Sequence, residues 1–292
     1  MRYQFIQAHQ GQFQGSVMFR VLGVSSSAFH SWKKRGVSVS QQQKESLVAH
    51  IREIFQDSEG RYGSPRVHLE LQAAGIHCSQ KRVAHLMKDH HLVARKTRKF
   101  IVTTDSNHAF PVAQNRLNRE YQVEAIAGMN RAWAGDITYV PTAQGWLYVA
   151  VVLDLKSRRV IGWSMRDTLE QSLVHEALEM ALGQRLAAEA KGELLFHSDR
   201  GSQYAACAYQ ERLLDWGIVC SMSRRGNCWD NAVVESFFAT LKKEEVHREH
   251  YLTREQAKAR LFVYIEVFYN RKRRHSALGY QSPHDYEQSL LN

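Results

Sequence analysis

The sequence predicts an α/β fold, a mixed sheet with helices on both faces, preceded by a small all-α helix-turn-helix region. Three observations carry this. Residues 131–246 read as strand-like and helix-like segments in the order βββαβαβα. Residues 1–96 show short segments at helical spacing and no strand signal. Charge divides the same way, with 18 Lys and Arg against 9 Asp and Glu in residues 1–127 and 21 against 20 in the rest.

In the stretch VMFRVLGVSSSAFHSWKKR, Val17, Val21, Val24, Phe29 and Trp32 fall on either side of a Gly23 turn, and serines 25 to 27 can cap the second helix. This is a helix-turn-helix pattern within residues 1–40. A second helical segment, residues 44–96, opens with the stripe Leu47, Ile51, Ile54 and Phe55. Next come Ser64 as N-cap, Pro65 at the first helical position and Gly75 as stop. Ser79 caps a further helix that turns Val83, Leu86 and Met87 inward and Lys81, Arg82 and Lys88 outward. Short paired helices with basic outer faces suit DNA. His68, His77, Cys78, His85, His90 and His91 match no common zinc spacing, so no zinc site is expected. Residues 97–127, with Pro111 and weak periodicity, read as a linker ending in a short helix.

From residue 131 the pattern changes. RAWAGDITYV, WLYVAVVLDL and RVIGWSM, joined by the turns TAQG and KSR, predict an antiparallel meander. An amphipathic helix follows, with Leu173, Ala177, Leu178, Ala181, Leu182 and Leu186 on one face. The strand ELLFHSD, the helix QYAACAYQERLLDWG, the strand IVCSMS and the loop RRGNCWD then lead into the helix NAVVESFFATLKKEEV. Its apolar stripe is Val234, Phe237, Phe238 and Leu241, while Asn231, Glu235 and Lys242 share a neighbouring face. Asp136 is unusual, because Asp is disfavoured inside a strand. Asp199 ends a strand in HSDRGSQY, where a turn explains it equally well. Glu235 also has an ordinary reading, as an acid near a helix N-terminus. Asp154, at the end of the second strand, reads as a turn residue.

Composition narrows the class. At 292 residues, 44% apolar and 10% aromatic, the chain is long enough for two or three domains with a full-sized core. Its four cysteines form no CxxC pair, so a reducing, cytoplasmic compartment fits better than a disulfide framework. The longest apolar run, residues 146–153, is far short of a membrane span, and the first ten residues lack a signal peptide's apolar stretch. A net charge of +10, concentrated in the front, suggests a polyanionic partner.

The stretches WAGDITYV, HSDRGSQY and DNAVVESFF, with 35 residues between Asp199 and Glu235, resemble the DDE triad of insertion-sequence transposases in the retroviral-integrase superfamily. The resemblance extends to MFRVLGVSSSAFHSWKKR, RYGSPRVHLEL and YNRKRRHSALGYQSPHDY, and so covers nearly the whole chain. It is strongest to the second-frame product of two-frame elements. It implies a ribonuclease H-like core over residues 128–250 and a C-terminal helix with a basic tail over 251–292. It further implies a DNA transposase that nicks the ends of its own element and transfers the freed 3′-hydroxyl to a target strand.

Asp136, Asp199 and Glu235 would then be the catalytic metal ligands, holding two Mg²⁺ or Mn²⁺ ions. Three converging carboxylates repel one another, and hard divalent cations are what most readily hold such a cluster. The implied DNA contacts are Lys242, seven residues after the glutamate, with Asn231, Gln203, Arg224, Arg225, Arg271, Arg273 and His275. Implied partners are element-end and target DNA, a second protomer, and an upstream-frame protein as fusion or partner; no membrane is implied. Two alternatives stay open at this point. One is a nuclease of the same fold that hydrolyses without joining, and the other a DNA-binding regulator whose α/β half senses a small ligand.

Overall fold

The computed structural model describes residues 1–35, 38–94, 111–185, 194–224 and 228–291. Two compact units divide the chain, Met1–Ala94 and Arg95–Asn292.

The first unit is all-helical: α1 (Arg2–Ala8), α2 (Gly15–Leu22), α3 (Ser26–Lys34), α4 (Val39–Asp57), α5 (Ser64–Ala73) and α6 (Gln80–Asp89). Gly23 ends α2 in the left-handed region at φ 63°, and Ser25 caps α3 by accepting the Ala28 N–H at 3.1 Å. The inward face of α2 differs from expectation. Val17 and Val21 are 41% and 73% exposed, whereas Met18 packs with Ile6 and Phe29, against Phe19, Leu22 and Trp32. The stripes 17/21 and 18/22 have the same four-residue spacing, so only the packing of Ile6 from α1 and Phe29 from α3 decides which is buried. In the second group Leu47, Val48 and Ile51 of α4 are buried, with Val67 and Leu71 of α5 and Val83, Leu86 and Met87 of α6. Gly63 rather than Ser64 caps α5, because the helix has already begun at Ser64. Ser79 caps α6 through the Arg82 N–H at 3.2 Å.

In the second unit, residues 111–127 form turns instead of the expected short helix. They are fastened to the core at intervals. Leu117, Val123 and Ile126 are buried, Arg116 and Leu117 donate backbone N–H groups to Ser221 Oγ, and Lys156 Nζ donates to the Val123 and Ile126 carbonyls. These tertiary partners satisfy backbone groups that a helix would have paired internally.

The sheet is built from β1 (Ala132–Thr142), β2 (Gly145–Asp154), β3 (Val160–Arg166), β4 (Leu195–Ser198) and β5 (Val219–Met222), in the spatial order β3-β2-β1-β4-β5. The first three strands form the antiparallel meander, and β4 and β5 run parallel to β1. The helices are α7 (Gln171–Arg185), α8 (Ser202–Ala205), α9 (Cys207–Asp215), α10 (Ala232–Glu244), α11 (Arg254–Phe262), which continues as a π-helical segment Val263–Tyr269, and α12 (Pro283–Leu291). Alternate residues point to opposite faces of a strand. On one face Trp133, Ala150, Val152 and Ile161 pack with Leu173, Leu178, Tyr209 and Leu213 from α7 and α9. On the other, Val149, Val151 and Leu153 are equally buried, and α10 and α11 lie against the strands. The approach of α7 to β3 requires Gly162, where a Cβ would fall 2.1 Å from the Ala177 carbonyl oxygen.

Asp154 is a turn residue, and a fully buried one. It accepts N–H groups from Asn130, Lys156 and Ser157. The C-terminal segment packs on the core through Asn270, Arg273 and Glu287, while Arg271 and Lys272 stay exposed. Asn270 exchanges hydrogen bonds with the Val160 backbone at 3.0 and 2.9 Å, and Arg159 and Arg185 both pair with Glu287. Among the described residues, no helix is long and apolar enough to cross a membrane.

Candidate active site

Parallel pairing of β1 with β4 sets Gly135 opposite Ser198, so the next residues, Asp136 inside β1 and Asp199 just past the end of β4, come side by side. Gly135 leaves no room for a side chain, since a Cβ would lie 2.7 Å from Phe196 Cζ. Its carbonyl accepts the Asn231 amide at 3.4 Å, which ties β1 to the start of α10. Asp199 Oδ1 accepts the Gly201 N–H at 2.9 Å, the turn expected from the sequence, and Asp136 Oδ1 accepts the Ile137 N–H at 2.8 Å.

Electrostatics joins these acids to Glu235 on α10. Burial pushes the Asp136 carboxyl well above the ordinary carboxylate range; the Asp199 charge and, less strongly, Glu235 add to this, against the Ile137 hydrogen bond and Lys242. Burial and then Asp199 raise Glu235 in the same direction. The Lys242 ammonium lies 4.8 Å over the Tyr139 ring, lowered by burial and opposed by Asp136. Among the described residues no three His, Cys, Asp or Glu side chains stand in ligating geometry around one point. Asp136, Asp199 and Glu235 thus share one field without closing into a cage. The donor set suits hard divalent cations, being three carboxylates whose mutual repulsion disfavours ionisation of Asp136 and Glu235.

Asp136 and Asp199 open into a cavity of about 460 Å³. Gly201, Ser202, Gln203 and Tyr204 line one part of it, and Ile137, Tyr139, Trp146, Tyr148 and Leu169 another.

One organising residue was not singled out from the sequence. Asp230, fully buried, accepts Asn115 Nδ2, Arg119 Nε and the Arg224 N–H and Nε at 2.9 Å, and Arg224 Nη2 at 2.8 Å. These bonds, from Arg224 above all, hold its carboxyl far below the usual range. Asp230 therefore anchors residues 115–119 to the entry of the helix that carries Glu235. Its place ahead of that helix was the sequence signal; its partners more than a hundred residues away gave none. His197, in the HSDRGSQY octet, is fully buried between Ser221 Oγ at 2.9 Å and Ser223 Oγ at 3.2 Å, and burial lowers it to about 4. It packs the junction of β4 and β5.

The residues expected to touch DNA separate into groups. Gln203 lines the cavity, and Lys242 lies over the ring of Tyr139, one of the cavity's lining residues, in the field of Asp136. Asn231, 4% exposed, braces Gly135. Arg224 is exposed but clamps Asp230 with both nitrogens. Arg273 corrects the expectation: it is buried, and donates to Glu244 at 2.8 and 2.9 Å, because a charge folded inside the chain must be paired. His275 lines a separate cavity beside Ala232, Ser236 and Thr240, on another flank of α10, and Arg271 is exposed. Arg225 lies outside the described residues.

Comparison with known proteins agrees with this architecture. Integrase core domain families match residues 127–228 and 235–291, and an HTH-like domain family matches residues 42–100. The chain is 42% identical to the transposase InsF for insertion sequence IS3A of Escherichia coli strain K12, over 100% of both chains. A 31 kDa protein of insertion element IS600 from Shigella sonnei is 41% identical over 91% of this chain and 96% of its own. Among solved structures, the catalytic core domain of BIV integrase is 20% identical, with a TM-score of 0.41 over 56% of this chain and 96% of that one. The HTLV-2 integrase catalytic core in complex with magnesium is 16% identical, with a TM-score of 0.41 over 54% and 96%. The regulator alternative falls with the full-length identity to a transposase and the integrase core match. Identity at this level along the whole of both chains shows that the protein belongs to the IS3 family of insertion-sequence transposases, DNA-binding polynucleotidyl transferases whose integrase core depends on metal.

Proposed function

We propose that Asp136, Asp199 and Glu235 hold two Mg²⁺ or Mn²⁺ ions, and that the chain nicks its own element's ends and joins the freed 3′-hydroxyl to a target strand. The side-by-side placement of Asp136 and Asp199, with Glu235 in the same field, is the observation that supports this most. When bound, the ions would activate a water or a 3′-hydroxyl and stabilise the leaving oxygen of an in-line displacement at phosphorus. Asp136 holds its carboxylate within β1 and Asp199 just past the end of the neighbouring β4, and Glu235 brings a third from a helix whose entry Asn231 and Asp230 fix. Lys242, beside the same acids, supplies a cation that can seat the phosphate next to the scissile bond. Gln203 and Ser202, at the cavity, are placed for the strand's backbone. No protein nucleophile takes part.

The basic helical unit supplies the phosphate contacts that hold element-end DNA, and bridging two ends calls for at least two protomers. An upstream-frame protein would act as fusion or partner, in the cytoplasm. The test is labelled element-end DNA incubated with protein and Mg²⁺ or Mn²⁺, with products sized on a denaturing gel. Nicked and joined products are expected; hydrolysed products alone, with either metal, would favour the nuclease alternative.

A further inference from the structure

We propose that the aromatic wall of the cavity, Tyr139, Trp146 and Tyr148 with Leu169, binds one unpaired nucleobase of the strand being processed. The inference rests on the reading of Asp136 and Asp199 as the place of the scissile phosphate. Both acids and the wall line the same cavity, whose volume of about 460 Å³ is in the range of small-molecule sites. A nucleotide held at the acids therefore has its neighbour's base within reach of the rings.

The wall is exposed, aromatic and braced. Trp146 is 48% exposed and Leu169 45%, a large apolar area to leave in water beside a cluster of acids. Tyr139 and Trp146 meet edge to face, with centroids 4.8 Å apart and planes at 80°, so each ring fixes the other. The hairpin beneath is tied down from outside: Arg254 Nε donates to the Trp146 carbonyl at 3.1 Å, the Arg254 N–H donates to Gln144 Oε1 at 3.0 Å, and the Ala143 N–H donates to the Tyr251 carbonyl at 2.9 Å. Such a platform needs little ordering when a ligand arrives.

Charge complements the shape. The Lys242 ammonium over Tyr139 puts a cation at the edge of the platform, where the phosphate attached to a stacked base would lie. Across the cavity, the Gln203 amide can donate to and accept from a base edge. Stacking on aromatic side chains tolerates any base and offsets part of the cost of opening a pair.

The test uses the full chain and element-end DNA carrying 5-iodouracil next to the cleaved phosphodiester. Irradiation should attach the DNA to the peptide containing residues 139–148, and Trp146→Ala should abolish that attachment. In cleavage of fully paired ends, Trp146→Ala should be slowed about tenfold or more, Trp146→Phe should stay within about threefold, and a mismatch at the same nucleotide should restore part of the Trp146→Ala rate. Attachment elsewhere, or wild-type cleavage of paired ends by Trp146→Ala, overturns the proposal. Attachment at 139–148 by a wild-type protein that cleaves nothing with either metal would uphold the base site and overturn the catalytic reading instead. If Trp146→Ala fails to fold, Tyr139→Leu is the second variant, expected to lose attachment and at least tenfold in rate; wild-type values in it overturn the proposal.

Discussion

Gly135 pairs with Ser198 across β1 and β4, and that single register step sets Asp136 beside Asp199. A slip of one residue would carry one carboxylate to the opposite face of the sheet. The contact of Gly135 with Phe196 and its bond from Asn231 hold the register. Adding a Cβ there forces the Phe196 ring aside. Gly135→Ala should therefore lower stability by about 1–3 kcal/mol and reduce cleavage by more than the fraction unfolded explains, read from urea melts beside initial rates.

Asp230 is expected to act on α10 rather than on DNA. Asp230→Asn removes a carboxylate that Arg224 and Arg119 clamp, a change of about 2 kcal/mol for hydrogen bonds to charged groups. Because its folded pKa is depressed, its contribution is present above the ordinary carboxylate range and fades as pH falls through and below it. Wild type and variant should differ by nearly the same amount at pH 7 and pH 4, and their melts should converge only as pH falls well below the ordinary carboxylate value of 3.8. Cleavage by Asp230→Asn should need more Mg²⁺ for half-maximal rate, as expected if Glu235 is less well placed.

His197 predicts a second acid-sensitive step at higher pH. Its folded value of about 4 lies below the ordinary 6.5, so the stability it contributes is complete above pH 6.5 and is lost as pH falls toward 4. Between pH 7 and pH 5 this amounts to about 2 kcal/mol at 1.36 kcal/mol per unit of pKa. Thermal melts of His197→Gln should be lower at pH 7 and lack that part of the decline.

Lys242 and Lys243 are neighbours on α10, and only Lys242 covers Tyr139 beside the acids. Lys242→Ala should slow cleavage and joining at least tenfold, about 1.4 kcal/mol, Lys242→Arg should restore part of the rate, and Lys243→Ala should stay near wild type. Equal losses in both alanine variants would reduce Lys242 to general surface charge.

Truncation should respect residues 111–127. A fragment beginning at residue 128 discards Asn115, Arg119 and the buried Leu117, Val123 and Ile126, and should fold poorly. Residues 95–292 should fold and keep metal-dependent chemistry. They lack the 12 Lys and Arg against 6 Asp and Glu of residues 1–94, so they should bind DNA more weakly and with a shallower salt dependence. Equal affinity and equal salt slope would remove the helical unit from the DNA contacts.

What the sequence disclosed and what it hid have physical causes. The meander, the parallel strands and the capped helices were legible because alternation, turn residues and caps act over a few residues. Asp136 stood out as an acid within a strand. The inward face of α2 was not legible, since Val17/Val21 and Met18/Leu22 are equally spaced. Arg273 looked like surface charge because its partner, Glu244, is reached only through the turn after the π-helical segment. The bonds of Asp230 to Asn115 and Arg119, and of Ser221 to the strap of residues 111–127, cross more than a hundred residues, which no local pattern carries. The cavity's aromatic wall likewise gathers Tyr139, Trp146, Tyr148 and Leu169 from two strands and the segment after β3.

The central claim is that Asp136, Asp199 and Glu235 together perform the phosphoryl transfer. Its most direct test compares wild type, Asp199→Asn and the exposed-acid control Asp167→Asn on labelled element ends with Mg²⁺ or Mn²⁺, with DNA binding measured in parallel. Wild type and Asp167→Asn should give nicked and joined strands, while Asp199→Asn binds DNA equally well and gives neither. Joined product at the wild-type rate from Asp199→Asn would contradict the account.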